Sequence, residues 1–183
     1  MPEDYWAFKP IQYMTTLGFL DGFSDGTFKP TREITRGELA VLLVKTKGFT
    51  VNKQTPIQFS DVPRESEQAP YISLAVDRKY LTGFPDGTFQ PDKRITRAEA
   101  AVTLARFAGL DLKTKLEQKP FADIPVKHWA APAIAADKQA GLFEYLAGKG
   151  FGPDLYLTRA EAAEIISKTD FAKQRIEKLI SGE

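Results

Sequence analysis

Three tetrapeptides place a hydroxyl, a guanidinium and a carboxylate at one fixed spacing: Thr35-Arg36-Gly37-Glu38, Thr96-Arg97-Ala98-Glu99 and Thr158-Arg159-Ala160-Glu161. Thr-x-x-Glu ahead of an apolar helical run is a capping box. The threonine oxygen accepts the N3 N–H, and the glutamate reaches back to the N-cap N–H. Losing such a cap costs about 0.5 to 2 kcal/mol, so stability alone accounts for the threonines and glutamates. Stability does not ask for the arginine, which at the first helical position sets a cation against the positive end of the helix dipole, at a cost of about 0.3 to 1 kcal/mol. A guanidinium beside free N–H groups at a helix N-terminus is a compact anion receptor. Arg36, Arg97 and Arg159 are therefore candidate ligand contacts. The alternative is an internal ion pair with aspartates such as Asp61 or Asp123, and one arginine can serve both roles.

Trp6 and Trp129 each stand where a first helix begins, and an aromatic face matches the apolar face of a pyranose. Packing against a neighbouring repeat is the competing use of so large an apolar surface. His128, the single histidine, sits at a helix start, where a cap or solvent contact is the ordinary role. Asp25-Gly26-Thr27 and Asp86-Gly87-Thr88 invite a calcium reading, but an EF-hand loop counted from Asp86 needs glutamate at its twelfth position and meets Arg97. These are turn signals instead, aspartate opening the turn and glycine supplying positive φ. No Gly-x-Ser-x-Gly, His-Glu-x-x-His or Walker motif occurs, and no cofactor is called for. A glycosidase pair drawn from Asp61, Asp123 and the glutamates is the form an enzyme would take, yet repetition assigns those residues to equivalent structural positions.

The tetrapeptides are 96 − 35 = 61 and 158 − 96 = 62 residues apart, and other positions keep step: Phe28, Phe89 and Phe151, each followed two residues on by Pro30, Pro91 and Pro153. Phe59-Ser60-Asp61-Val62-Pro63 returns as Phe121-Ala122-Asp123-Ile124-Pro125, and Trp129 aligns with Glu67 and Trp6. A first copy of Phe-x-Asp would fall before Met1, so the chain reads as a piece of something larger. Each unit divides into two helices. The first is expected over about Trp6–Leu17, Ala69–Lys79 and Ala130–Ala140, with glycines at 18 and 141 suited to a left-handed cap. The second starts at Thr35, Thr96 or Thr158. A terminal amphipathic helix capped by Asp170 follows, with Phe171, Ile176, Leu179 and Ile180 expected to seek a core.

Twenty-five basic against 24 acidic residues leave a formal charge of +1, so no global field favours nucleic acid, and any anion must be caught locally. Cysteine is absent, which removes thiolate chemistry and cysteine-ligated zinc and fits an oxidising extracellular setting. No stretch stays apolar long enough for membrane insertion.

Phe121-Ala-Asp123-Ile-Pro-Val-Lys-His128-Trp129-Ala, Gly83-Phe-Pro-Asp86-Gly87-Thr88-Phe89-Gln-Pro91 and Ile95-Thr96-Arg97-Ala98-Glu99 resemble the successive signature blocks of S-layer homology (SLH) repeats. The resemblance implies an all-α fold of three helix-loop-helix repeats in a pseudo-threefold assembly plus a C-terminal helix. It divides the chain into repeats over 1–50, 57–111 and 119–169 and a tail over 170–183. It further implies a non-catalytic anchor on the bacterial cell surface, with Arg36, Arg97, Arg159, Asp61, Asp123, Trp6 and Trp129 lining inter-repeat grooves. The implied ligand is an anionic secondary cell-wall polysaccharide, pyruvylated in many members, or a peptidoglycan-linked glycan. Repeat two carries Ser66-Glu67 where His128-Trp129 stands, and repeat three has Ala147-Gly148-Lys149-Gly150-Phe151 for Pro85-Asp86-Gly87-Thr88-Phe89, so three equivalent sites are not expected. The best groove is expected where repeats two and three meet. A helical-repeat scaffold for protein partners is the alternative.

Overall fold

The computed structural model describes residues 1–52, 54 and 56–182. Its elements are α1 (Phe8–Thr16), α2 (Arg36–Lys47), α3 (Ala69–Asp77), α4 (Arg97–Ala108), α5 (Ala131–Gln139), α6 (Arg159–Ser167) and α7 (Asp170–Ser181), with a short 3-10 helix over Glu144–Leu146. The chain is all-α, and the described residues form isolated β-bridges but no strand.

Each second helix starts where its capping box stands. Thr35, Thr96 and Thr158 accept from the amides of Glu38, Glu99 and Glu161, and each glutamate returns a bond to its own threonine amide. α2 and α4 stop at Gly48 and Gly109, both at φ 70°, a left-handed conformation that costs glycine nothing. The position after each first helix is also left-handed: Gly18 at 68°, Lys79 at 61° and Gly141 at 77°.

The pseudo-threefold arrangement follows from how the pieces close. α2 packs on α3, α4 on α5 and α6 back on α1, so each second helix covers the next repeat's first helix. At the centre, the amide of Ile34 donates to Leu157 O, that of Leu157 to Ile95 O, and that of Ile95 to Ile34 O, at 2.9, 2.9 and 3.2 Å. This three-membered ring of backbone bonds joins equivalent residues, all three of them buried. Leu39, Leu42, Leu43, Leu104, Ile165 and Ile166 bury the apolar faces of the second helices around it.

α7 lies across the first repeat. Arg175 donates to the carbonyls of Thr46 and Lys47 at 2.5 and 3.3 Å, where α2 leaves its last carbonyls without helical partners. In return Lys47 projects over the ring of Phe171, 3.0 Å from its centroid, beside Phe107. Two expectations for this helix need correction. Thr169 is the N-cap and Asp170 the first helical residue, with no side-chain cap bond. Of the four apolar residues only Ile176 is buried, whereas Ile180 is largely exposed, because α7 meets the body along a single narrow stripe.

Candidate functional site

The motif arginines reach out of their own repeats. Arg36 donates from Nε to Phe89 O at 2.9 Å and from a terminal nitrogen to Thr82 O at 2.7 Å. Its guanidinium lies 4.7 Å from the ring centroids of both Phe84 and Phe89. Arg159 repeats this in the first repeat, bonding Phe28 O and Asp21 O between the rings of Phe23 and Phe28. Both are nearly closed to solvent, at 6% and 5% exposure, and burial lowers the pKa of each guanidinium. Arg97 departs from the pattern: it bonds Phe151 O at 2.7 Å and pairs with Glu161.

These contacts correct the premise of free amides beside the arginine. The first two amides of α2 donate to Lys93 O and Pro91 O, those of α4 to Leu155 O and Pro153 O, and those of α6 to Arg32 O and Pro30 O. The third amide of each helix goes to its threonine. The helix N-termini are thus joints between repeats, and an anion would meet only guanidinium edges left over from this network.

Asp61 and Asp123 do not pair with the arginines either. Asp61 accepts the amides of Phe89 and Gln90 at 2.8 and 2.7 Å, and Asp123 those of Phe151 and Gly152 at 2.9 and 2.7 Å. Burial pushes the Asp123 carboxyl up, but the two amides and the nearby Arg97 charge hold it below its ordinary value. Asp25 and Asp86 each close their own turn through the amide and hydroxyl of Thr27 and Thr88.

Two of the cavities among the described residues lie at the seams closed by the ring, and the repeat operation relates them. One, of about 550 Å³, lies between the turn and second helix of repeat one, the start of repeat two, and Arg159 from repeat three; Lys45, Arg64 and Glu38 also line it. The other, of about 630 Å³, lies between the turn and second helix of repeat three, Trp6 of repeat one and Arg97 of repeat two; Tyr145, Lys149, Glu161 and Lys168 line it too. Lys45 pairs with Asp21 in the first and Lys168 with Glu144 in the second, each pair bridging helix and turn. Arg36, Asp61, Asp123 and Trp129 border neither cavity.

Of the two uses expected for the tryptophans, packing against a neighbouring repeat does not bury either ring. Trp6 is 49% and Trp129 62% exposed, because each stands at the outer rim of the ring, before the helix turns inward. Trp6 stacks on Tyr145 with centroids 5.3 Å apart and planes tilted by 16°, leaving its other surface to solvent. His128 does not cap α5 directly; its Nδ1 accepts from the amide of Ala130, the N-cap residue, at 3.2 Å. Arg64 and Lys149 escaped the sequence reading. Neither forms an ion pair among the described residues, and neither recurs with the period, so no repeat comparison could have picked them out.

A closed ring of three capped helix pairs, with charged clefts at its seams, is the build of a tandem-repeat helical module. The chain belongs to the S-layer homology domain family, whose members match residues 1–40, 58–101 and 120–163. It is similar to a cellulosome-anchoring protein of Acetivibrio thermocellus, with 35% identity over 82% of this chain and 35% of that protein. It is also similar to the S-layer protein sap of Bacillus anthracis, at 28% identity over 93% of this chain and 21% of that protein. A Bacillus anthracis protein named an uncharacterized cell wall amidase is 32% identical over 92% of this chain and 31% of its own length. The chain therefore spans about a third or less of the length of these curated relatives. Its membership makes it a cell-surface anchoring module. No described helix is long and apolar enough to cross a membrane.

Proposed function

We propose that the module is a non-catalytic anchor that holds an anionic secondary cell-wall polysaccharide in the cleft between Trp6, Arg97 and Lys149. One observation carries this reading: a half-exposed tryptophan, backed by Tyr145, stands in the same cavity as a lysine with no ion-pair partner among the described residues. Stacking on Trp6 suits the apolar face of a pyranose, and Lys149 with an edge of Arg97 suits a carboxylate such as a pyruvyl ketal. The first cavity is the weaker choice, since Asp21, Glu38, Glu65 and Glu67 outnumber Lys45, Arg64 and Arg159 there. Arg36 and Arg159 hold neighbouring repeats in register, Asp61 and Asp123 each close the turn of their own repeat, and Trp129 is a second exposed aromatic surface outside both cavities.

Sedimentation with purified, protein-free cell walls tests the reading, before and after chemical removal of the secondary polymer. The expected result is co-sedimentation that disappears with the polymer. Equal binding to stripped walls would move the ligand to peptidoglycan. Failure to bind either would favour a scaffold for protein partners.

A further inference from the structure

The third repeat carries a cavity of its own, of about 700 Å³, beside its turn. Its floor is apolar, made by the buried rings of Phe121 and Phe143, and three exposed lysines stand around it, Lys119, Lys138 and Lys149. Lys138 is held in place, its Nζ donating to Pro120 O at 2.6 Å and lying 4.6 Å from the Phe121 ring centroid. Lys119 and Lys149 form no ion pair among the described residues. Among the described residues lining the cavity Glu144 is the only carboxylate, and Lys168 already pairs with it.

Packing does not require these cations. At the positions equivalent to Lys119, Lys138 and Lys149 the second repeat has Ile57, Val76 and Gly87, and the first has Thr15 and Gly26 for the latter two. Both of those repeats form the same helix pair without a charge at any of these places. The turn changes in the same sense. Gly148 stands where Asp25 and Asp86 close the other turns, so an acid is lost next to the position where a lysine is gained. In a chain with a formal charge of +1, three cations outside the repeat pattern, gathered over an apolar floor, make a local field for an anion.

This cavity adjoins the seam cleft. Glu144, Leu146, Lys149 and Gly150 line both, so Lys149 stands on the shared wall. The two spaces measure about 630 and 700 Å³, each within the range of about 300 to 1,000 Å³ for a small-molecule site.

We propose that the cavity of the third repeat is a second anionic subsite, which takes the next charged unit of a linear glycan whose first unit lies against Trp6; the inference rests on the proposed role of the Trp6 cleft. Lys149 then serves both units, whereas Lys119 and Lys138 serve only the second. A single unit gains nothing from those two lysines, and a longer chain does.

The test is calorimetry with size-fractionated fragments of a pyruvylated wall polymer, one and three repeating units long. Wild type is compared with the Lys119→Ala, Lys138→Met double variant, in which methionine keeps the apolar cover on Phe121. Wild type should bind the longer fragment about tenfold more tightly or better. The variant should bind the shorter fragment with unchanged affinity and lose most of the advantage of the longer one. Where a melting curve shows that the Lys138 substitution disturbs folding, Lys119→Glu alone should still cut that advantage. Equal affinity of the wild type for both lengths overturns the subsite and leaves the Trp6 cleft standing, as does a length advantage that survives in the variants. Loss of affinity for the shorter fragment in the variant would move those lysines to the first unit and overturn it too. Binding of neither fragment overturns the subsite and the Trp6 cleft together.

Discussion

The guanidinium of Arg97 is paired with the capping-box carboxylate of Glu161, 64 residues further along the chain. In the other two repeats the equivalent glutamate takes a cation from its own loop, Arg32 for Glu38 and Lys93 for Glu99. The third repeat has Leu155 at that position, and Arg97 crosses the seam to replace the missing charge.

Both partners of this pair are largely buried, so removing one strands the other. Arg97→Ala should cost about 3 to 5 kcal/mol. Thr96→Ala, which removes only a cap, should cost about 0.5 to 2 kcal/mol. Chemical denaturation of the two variants checks the order. Adding Glu161→Gln to Arg97→Ala should restore part of the loss, since it removes the stranded charge. A double mutant no more stable than the single would show that packing matters at this seam and the ion pair does not.

Asp137 gives a pH-dependent prediction. It lies fully buried in α5 at the position held by Met14 and Ala75 in the other repeats, and neither carboxyl oxygen has a hydrogen-bond partner among the described residues. Burial pushes its pKa well above the ordinary value, so the folded state holds a proton that the unfolded state releases. Stability from this group is full below the unfolded pKa and falls as pH rises toward the folded one. Asp137→Ala should raise the melting temperature near neutral pH and do little near about pH 4. Thermal melts of both proteins across that range supply the difference, and an equal shift at both ends would contradict the account.

What the chain discloses before folding depends on the reach of each interaction. Thr35 and Glu38 interact across three residues, so the capping boxes and helix starts were legible. The period marked one helix-loop-helix unit written three times, and the family resemblance implied that the three close into an all-α ring. The partners of Arg36 and Arg159 were not legible, because they lie 53 and 138 residues away and are chosen by closure of the ring. For the same reason no local rule showed that the N-terminal amides meet carbonyls from another repeat. Trp6 and Trp129 are exposed because the first-helix starts form the outer rim, a property of the assembly that no single repeat carries.

Arg175 ties α7 to the end of α2, which frames a prediction about that helix. Arg175→Ala should lose the bonds to the carbonyls of Thr46 and Lys47 and loosen the stacking of Lys47 on Phe171. A loss of about 1.5 to 3 kcal/mol is expected, the range for hydrogen bonds involving a charged group. Amide hydrogen exchange should rise in α7 and the last turn of α2 while the central ring of Ile34, Ile95 and Leu157 stays protected. Uniform acceleration across the chain would mean that α7 is part of the cooperative core.

The wall-binding prediction uses residues outside the packing network, since Arg97 cannot be removed without disturbing a seam. Lys149 and Trp6 line the second cavity from its exposed side. Lys149→Ala should leave the melting temperature unchanged and weaken wall binding by about tenfold or more, the equivalent of about 1.5 to 3 kcal/mol for a charge-assisted contact. Because that term is electrostatic and exposed, wild-type binding should weaken with added salt and the variant should respond less. Trp6→Ala should also weaken binding, but its loss should be nearly independent of salt, as stacking carries no net charge. Calorimetry with a soluble, pyruvylated wall fragment at two salt concentrations separates the two contributions. Unchanged affinity in the Lys149→Ala, Trp6→Ala double variant would remove this cavity from consideration, and Lys45→Ala with Arg64→Ala would then test the first one.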